Sequence, residues 1–188
     1  QRGIVRDFPT SYLDSSGFRV NTGFRLRKVL KDGVEEPFVT ESVSNGTRVK
    51  IGRQDVLIPN GEFTYQLEYE TQRQIIFHET KDELYWNVNG NGWVFTADSV
   101  SCRIHFPPGS SVMETACYTG SYGSTSRDCI SETEDEQTVF FTGTKRFNSW
   151  EGLTVAASIQ KGVLVPPGNT QKIIDFLGAN FILPVLGL

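Results

Sequence analysis

The densest group of side chains able to do chemistry lies within residues 80–93, which hold two carboxylates, two tryptophans, a tyrosine and three asparagines. Carboxylates beside aromatic rings occur in glycosidases, where one acts as acid and the other as base. Neighbouring residues of a strand point to opposite faces, however, so Asp82 and Glu83 are poorly placed to act as a pair. The candidate ligand-binding residues are Asp82, Glu83, Trp86, Asn87 and Trp93.

A structural interpretation competes with the functional one for these residues, and we favour it. Trp86 would anchor a sandwich core, Asp82 would accept turn hydrogen bonds, and the Asn-Gly repeat of residues 89–92 would form a corner. The chain has no nucleophile elbow, zinc-protease helix motif, phosphate-binding loop or dinucleotide fingerprint. We therefore expect no catalytic residue, no metal and no cofactor, and interpret the chain as non-enzymatic.

The cysteines indicate a disulfide and a compartment. Cys117 and Cys129 enclose a Gly/Ser-rich loop, and two strands joined by such a loop can bring their Cα atoms to the roughly 5.5–6 Å that a disulfide needs. A structural zinc site needs four ligands, whereas the chain has three cysteines, two histidines and no C-x-x-C pair. We predict a Cys117–Cys129 disulfide, a buried free thiol at Cys102, and an oxidising, extracytoplasmic location.

The elements that carry these residues are predicted to be strands. Apolar and polar residues alternate with period two, as in half-buried strands, and the clearest case places four apolar residues of 62–70 on one face. Asp-Gly and Asn-Gly pairs separate the runs and favour hairpin turns. The fold class is therefore all-β, a mainly antiparallel β-sandwich with a short C-terminal helical segment. Further alternating runs cover residues 18–20, 24–27, 100–106 and 153–159.

The domain organisation is predicted as one β-sandwich region over 1–162, either a single elongated sandwich or two lobes meeting near 80–98. Residues 163–188 would form a linker and a helix running from about Ile173 to Leu188. Its last thirteen residues carry no charge, too few to span a bilayer, which takes about 20. The segment would be the approach to a membrane anchor, or a helix that docks on the domain's own apolar surface.

The composition excludes one class of partner. The net charge is −4, and a nucleic-acid-binding domain usually shows a basic stripe. The basic residues Arg25, Arg27 and Lys28 fall in an alternating run and are interpreted as a solvated face. We expect no nucleic-acid partner.

Three blocks of sequence resemble a known family. Residues 2–10 (RGIVRDFPT), 82–93 (DELYWNVNGNGW) and 117–124 (CYTGSYGS) are similar to the YciQ-like family of predicted bacterial membrane proteins, which carry a domain of unknown function. The resemblance implies a signal peptide, an extracytoplasmic β-rich domain, transmembrane helices and a cytoplasmic tail. It implies no known activity and no catalytic residues.

Together these observations predict the extracytoplasmic domain of a bacterial cell-membrane protein, used for non-enzymatic binding, sensing or assembly. Its partners would be the membrane, reached through a C-terminal transmembrane segment, and a protein or an envelope polysaccharide. The alternative is a cell-envelope carbohydrate-binding module or hydrolase that uses the Trp86/Trp93 region.

Overall fold

The computed structural model describes residues 2–13 and 16–180, and in that part of the chain it contains fifteen β-strands and one α-helix. All paired strands are antiparallel, so the protein is all-β, as predicted. The chain divides into two compact units. The first combines the described residues up to 73 with those from 167 onward, and the second comprises residues 74–166.

The first unit contains two three-stranded sheets and a two-stranded ribbon. Its elements are β1 (Ile4–Pro9), β2 (Ser11–Leu13), β3 (Arg19–Asn21), β4 (Phe24–Lys31), β5 (Val34–Glu35), β6 (Phe38–Val43), β7 (Gly46–Ile51), β8 (Tyr65–Thr71) and helix α1 (Asn169–Asn180). The strand orders are β1-β7-β6 and β5-β4-β8, with β2 paired to β3. Phe8, Val29, Val49 and Ile51 come from both larger sheets and form the buried core between them.

The C-terminal helix α1 begins at Asn169, four residues before the predicted start near Ile173, and packs on the ribbon strand β3. The Phe176 ring meets the edge of Phe18 at 4.9 Å between centroids, and Arg73 donates a 2.6 Å hydrogen bond to Asp175. The helix therefore docks on the domain's own surface. The predicted continuation of the helix over 181–188 lies outside the described residues.

Within residues 2–13 and 16–180, no helix meets the length and hydropathy needed to cross a membrane.

The second unit is a two-sheet sandwich. Its strands are β9 (Ile75–Phe77), β10 (Lys81–Asn87), β11 (Ser101–His105), β12 (Val112–Gly120), β13 (Cys129–Thr133), β14 (Thr138–Gly143) and β15 (Gly152–Gln160). The strand orders are β12-β15-β10-β9 and β11-β14-β13. The region 80–98, which the two-lobe alternative gave as the boundary, lies inside this unit.

A continuous apolar core holds the two sheets of the second unit together. Phe141, Leu153 and Ile159 are among its fully buried side chains, and burying a side chain of this size stabilises a fold by roughly 1.5–3 kcal/mol. On β15, residues 153, 155, 157 and 159 all face this core. Residues 152, 154, 156 and 158 therefore lie on the opposite face of the sheet, where Gly152 and Thr154 line a cleft.

Candidate functional site

Strand β10 separates the predicted site residues onto two faces. Asp82 and Trp86 point toward the core, opposite Ile159 and Val155 of β15. Glu83 and Asn87 therefore point to the outer face, because side chains alternate along a strand. The two carboxylates do not form an acid–base pair.

The Asp82 carboxylate is buried, with only 1% of the residue exposed. Its Oδ1 accepts a 2.6 Å hydrogen bond from Lys161 Nζ, while Oδ2 has no hydrogen-bond partner. A buried carboxylate needs such a cation to offset its lost hydration. The interpretation of Asp82 as a turn acceptor is wrong, because Asp82 is the second residue of strand β10 and its hydrogen-bond partner is 79 residues away.

The two tryptophans lie in different surroundings. Trp86 is partly buried and packs against the core of the second unit. Trp93 lies in the loop after β10 and donates from its indole nitrogen to the Asn89 carbonyl at 2.7 Å. A carbohydrate or hydrolase site in the Trp86/Trp93 region would need both indoles exposed on one surface next to converging carboxylates. The two tryptophans do not have this arrangement.

The outer face of the four-stranded sheet carries a cleft of about 610 Å³. We call it the tyrosine cleft, because three tyrosines line it together with amide, hydroxyl and glycine residues, and no lining residue is charged. Of the predicted ligand-binding residues, it includes Asn87. The lining residues are Tyr85, Asn87, Asn91, Tyr118, Thr119, Gly120, Ser121, Tyr122, Gly123, Ser124, Thr125, Gly152 and Thr154.

Strand register places two of the tyrosines. Tyr85 of β10 lies opposite Ala156 of β15, and Tyr118 of β12 lies opposite Thr154 of the same strand. The central strand presents only small side chains between the two rings. The tyrosines therefore stand on either side of a low floor, which makes the surface concave.

An asparagine network fixes one end of the cleft. Asn87 donates to the Asn91 side chain at 2.5 Å and accepts from the Gly90 amide at 2.9 Å. Asn91 in turn donates to the Gly120 carbonyl at 2.9 Å, and Asn89 accepts from the Leu153 amide. These bonds tie the loop after β10 to both neighbouring strands, so the lining amides are held in place before any ligand arrives.

The opposite wall is a loop tied at its base by the Cys117–Cys129 disulfide, whose Cα atoms are 6.2 Å apart. The structure thus contains the predicted disulfide, and the thiol of Cys102 is free. Within the loop, Ser124 Oγ donates to the Thr119 carbonyl at 2.8 Å. Tyr122 is held at the tip with 96% of its surface exposed.

Charged groups on the same outer face cluster at the other end of the sheet. Lys81 donates to Glu114 at 2.5 Å and lies 3.4 Å from Glu83. The hydrogen bond from Lys81 lowers the pKa of Glu114, and the same bond raises the pKa of Lys81. These charges satisfy one another at that end of the sheet. Beside the cleft, the Arg127 guanidinium lies 5.5 Å from the centroid of the Tyr118 ring, although Arg127 is not one of the lining residues.

Metal ligands and reactive thiols do not add to this site. Residues 2–13 and 16–180 contain no group of three His, Cys, Asp or Glu side chains placed to hold a metal ion. The free Cys102 is partly buried on β11, and burial raises the pKa of its thiol. A raised pKa keeps the thiol protonated and unreactive.

Sequence reasoning missed the tyrosines, although two signals were present. Tyr85 follows Leu84 and precedes Trp86, so period two assigns it to the face opposite the core. Tyr122 lies between Gly120 and Gly123 in a glycine-rich turn, and a large ring in such a turn has no core-facing side of a strand on which to be buried. Tyr118 could be placed only once the register of β12 against β15 was known.

Comparison with known proteins gives a family. Residues 1–159 match the family described as "Predicted membrane protein (DUF2207) N-terminal domain". The chain belongs to this family. It is also 25% identical over 130 residues to the uncharacterized protein YciQ of Escherichia coli K12. The aligned segment covers 68% of this chain and 21% of YciQ.

The chain thus spans about a fifth of the length of the curated relative that it matches. No solved structure matches the chain. The recognition of the YciQ-like family from sequence blocks is confirmed.

Proposed function

We propose that this chain is a non-enzymatic, extracytoplasmic binding domain of a bacterial membrane protein, and that its ligand occupies the tyrosine cleft. The observation that carries the proposal is the set of three tyrosines around an uncharged, concave sheet face. Tyrosine contributes contact area at low entropic cost and keeps a polar tip for hydrogen bonding, which is why it is enriched at binding surfaces.

Exposure supports a role for these rings outside the fold. Tyr85 is 50% exposed and Tyr122 is 96% exposed, so neither ring is needed to fill the core. The loop that carries Tyr122 is nevertheless tied down by a disulfide and by internal hydrogen bonds. A rigid loop that presents an aromatic ring to solvent is arranged for contact with a second molecule.

The lining chemistry favours binding over catalysis. General acid–base catalysis needs a group that titrates near the working pH within hydrogen-bond reach of the substrate. The cleft is lined by amides, hydroxyls, glycines and tyrosines. The two carboxylates that the sequence offered as candidates, Asp82 and Glu83, are engaged by Lys161 and Lys81. The hydrolase alternative is therefore not proposed.

The disulfide supports the extracytoplasmic assignment, because such bonds persist in oxidising compartments and are rare in the bacterial cytoplasm. Membership in a family of predicted membrane proteins is consistent with a domain held at the cell surface. Alkylation of intact cells with a membrane-impermeant thiol reagent after reduction tests this part of the proposal. Labelling of the chain in intact cells is expected, and labelling only after lysis would contradict it.

The binding proposal is tested by sedimenting the purified chain with bacterial cell envelopes. Tyr85→Ala and Tyr122→Ala are each expected to weaken retention at least tenfold. Tyr12→Ala is the matched control, because Tyr12 is 51% exposed and lies on β2 in the first unit. Equal retention of all three variants and of the native chain would overturn the proposal.

A further inference from the structure

The lining of the tyrosine cleft also restricts the chemical class of its ligand. Charged residues make up 21% of the chain, yet none of the residues that line the cleft is charged. A charged ligand entering it would lose hydration without gaining an ionic partner among the lining residues, which is costly. The neighbouring Arg127 guanidinium is already packed over the Tyr118 ring, 5.5 Å from its centroid. The ligand is therefore expected to be uncharged and polar.

The hydrogen-bonding groups of the cleft suit hydroxyl groups. An asparagine amide offers two N–H donors and an oxygen with two lone pairs. Asn87 uses one donor toward Asn91 and one acceptor position toward the Gly90 amide. Asn91 uses one acceptor position toward Asn87 and one donor toward the Gly120 carbonyl. Each amide thus keeps one free N–H donor and one free lone pair on its oxygen. A ligand hydroxyl can accept a hydrogen bond from the first and donate one to the second.

The aromatic groups suit the flat carbon–hydrogen faces of sugar rings. Tyr85 and Tyr118 lie on either side of the central strand β15, whose small residues Gly152 and Thr154 line the cleft. A pyranose ring can lie against an aromatic face while its hydroxyls reach amides and hydroxyls at the rim. A volume of about 610 Å³ falls in the range of roughly 300–1,000 Å³ that small-ligand sites occupy.

We infer that the tyrosine cleft binds an uncharged oligosaccharide, with Tyr85, Tyr118 and Tyr122 stacking on sugar rings and Asn87 and Asn91 bonding to hydroxyls. The inference rests on the proposed function and names its ligand class. It differs from the sugar site considered around Trp86 and Trp93, since its aromatic residues are different ones. A protein ligand is the competing outcome, and the experiment separates the two.

The test titrates the purified chain, by calorimetry, with three neutral hexasaccharides, namely maltohexaose, cellohexaose and fully N-acetylated chitohexaose, and with the acidic polymer polygalacturonate. At least one neutral probe is expected to bind the native chain. The affinity of that probe for Tyr85→Ala is expected to be at least tenfold lower than its affinity for Tyr12→Ala. The affinity is expected to change less than twofold between 50 and 500 mM salt. Binding of polygalacturonate alone, or of no probe in the set, would overturn the glycan inference.

A second arm distinguishes failure of this inference from failure of the proposed function. Envelopes are digested with a protease before the sedimentation assay. Tyr85-dependent retention on digested envelopes supports a glycan. Tyr85-dependent retention that disappears after digestion would identify a protein ligand, so the binding proposal would stand and the glycan inference would fall. Retention that never depends on Tyr85 would overturn both.

Discussion

Removal of the Cys117–Cys129 disulfide is the perturbation whose size follows most directly from the structure. The two cysteines are 12 positions apart, and closing a loop of this length lowers the entropy of the unfolded chain. The chain-entropy relation gives about 3 kcal/mol for it. In a domain of fewer than 100 residues each kcal/mol shifts the melting temperature by roughly 4–8 °C, so we expect a fall of roughly 12–24 °C.

Tryptophan fluorescence is the assay, because the three tryptophans of the chain, at 86, 93 and 150, all belong to the second unit. Thermal unfolding of the Cys117→Ala/Cys129→Ala double variant is compared with that of the native chain. Both are measured with and without a thiol reductant. The reductant should lower the native transition to that of the double variant and should leave the double variant unchanged.

Cys102→Ala is the matched control, since Cys102 is a free thiol packed against the same core. Its transition should keep its sensitivity to reductant. A native transition that does not move on reduction would refute the reasoning, because the loop would then be fixed without the disulfide. So would a double variant that still responds to reductant, because the effect would then come from another group.

Three further predictions concern stability. Trp86→Ala should cost about 3 kcal/mol in urea unfolding followed by circular dichroism, because the ring packs on the core; an unchanged midpoint would contradict this packing. Lys161→Met should destabilise the second unit by leaving the buried Asp82 carboxylate unpaired, and adding Asp82→Leu should restore stability; a double variant no more stable than Lys161→Met would argue against the pair. The hydrogen bonds from Arg48 lower the pKa of Asp7, so their stabilising effect is present at neutral pH and disappears as the pH falls through that lowered pKa. The Asp7→Asn variant should therefore lose less stability than the native chain between pH 5 and pH 2, by a small margin because the pair is half exposed. Equal losses would show that the pair contributes nothing.

Much of the fold was predictable because its signals are local. The alternation over 62–70 predicts a strand, and the structure has one at Tyr65–Thr71. Phe63 alternates correctly but lies before the strand begins, with the Lys31 ammonium 4.1 Å above its ring. The Asp32-Gly33 pair forms the predicted tight hairpin turn, with φ values of 52° and 81°, which is the positive pair that a type I′ turn requires.

The division of the chain was less accessible, because it depends on contacts between distant residues. The chain leaves the first unit after residue 73 and returns to it at residue 167. Alternation along a strand does not reveal which strands share a core. Contacts between residues far apart in sequence, such as Phe18 with Phe176 and Arg73 with Asp175, assign the C-terminal helix to the first unit.

The candidate site was predictable only in part, for the same reason. Period two along β10 separates Asn87 from Trp86, so an outward-facing asparagine could be expected from sequence. The burial of Asp82 depends on Lys161, which is 79 residues away. The residues near Asp82 in sequence do not predict that partner. The cleft itself requires β12, β15 and β10 to lie side by side, which is a property of the sheet order.

The most direct test of the central claim is a map of where a ligand contacts the chain in solution. Protease-digested envelope material is added to the isotope-labelled chain, and backbone and tyrosine resonances are followed by NMR. Perturbations are expected at Tyr85, Tyr118, Tyr122 and Asn91, with resonances of the first unit, including those of Tyr12, unchanged. Perturbations confined to the first unit, or to the Trp86 and Trp93 indoles without the tyrosines, would contradict it.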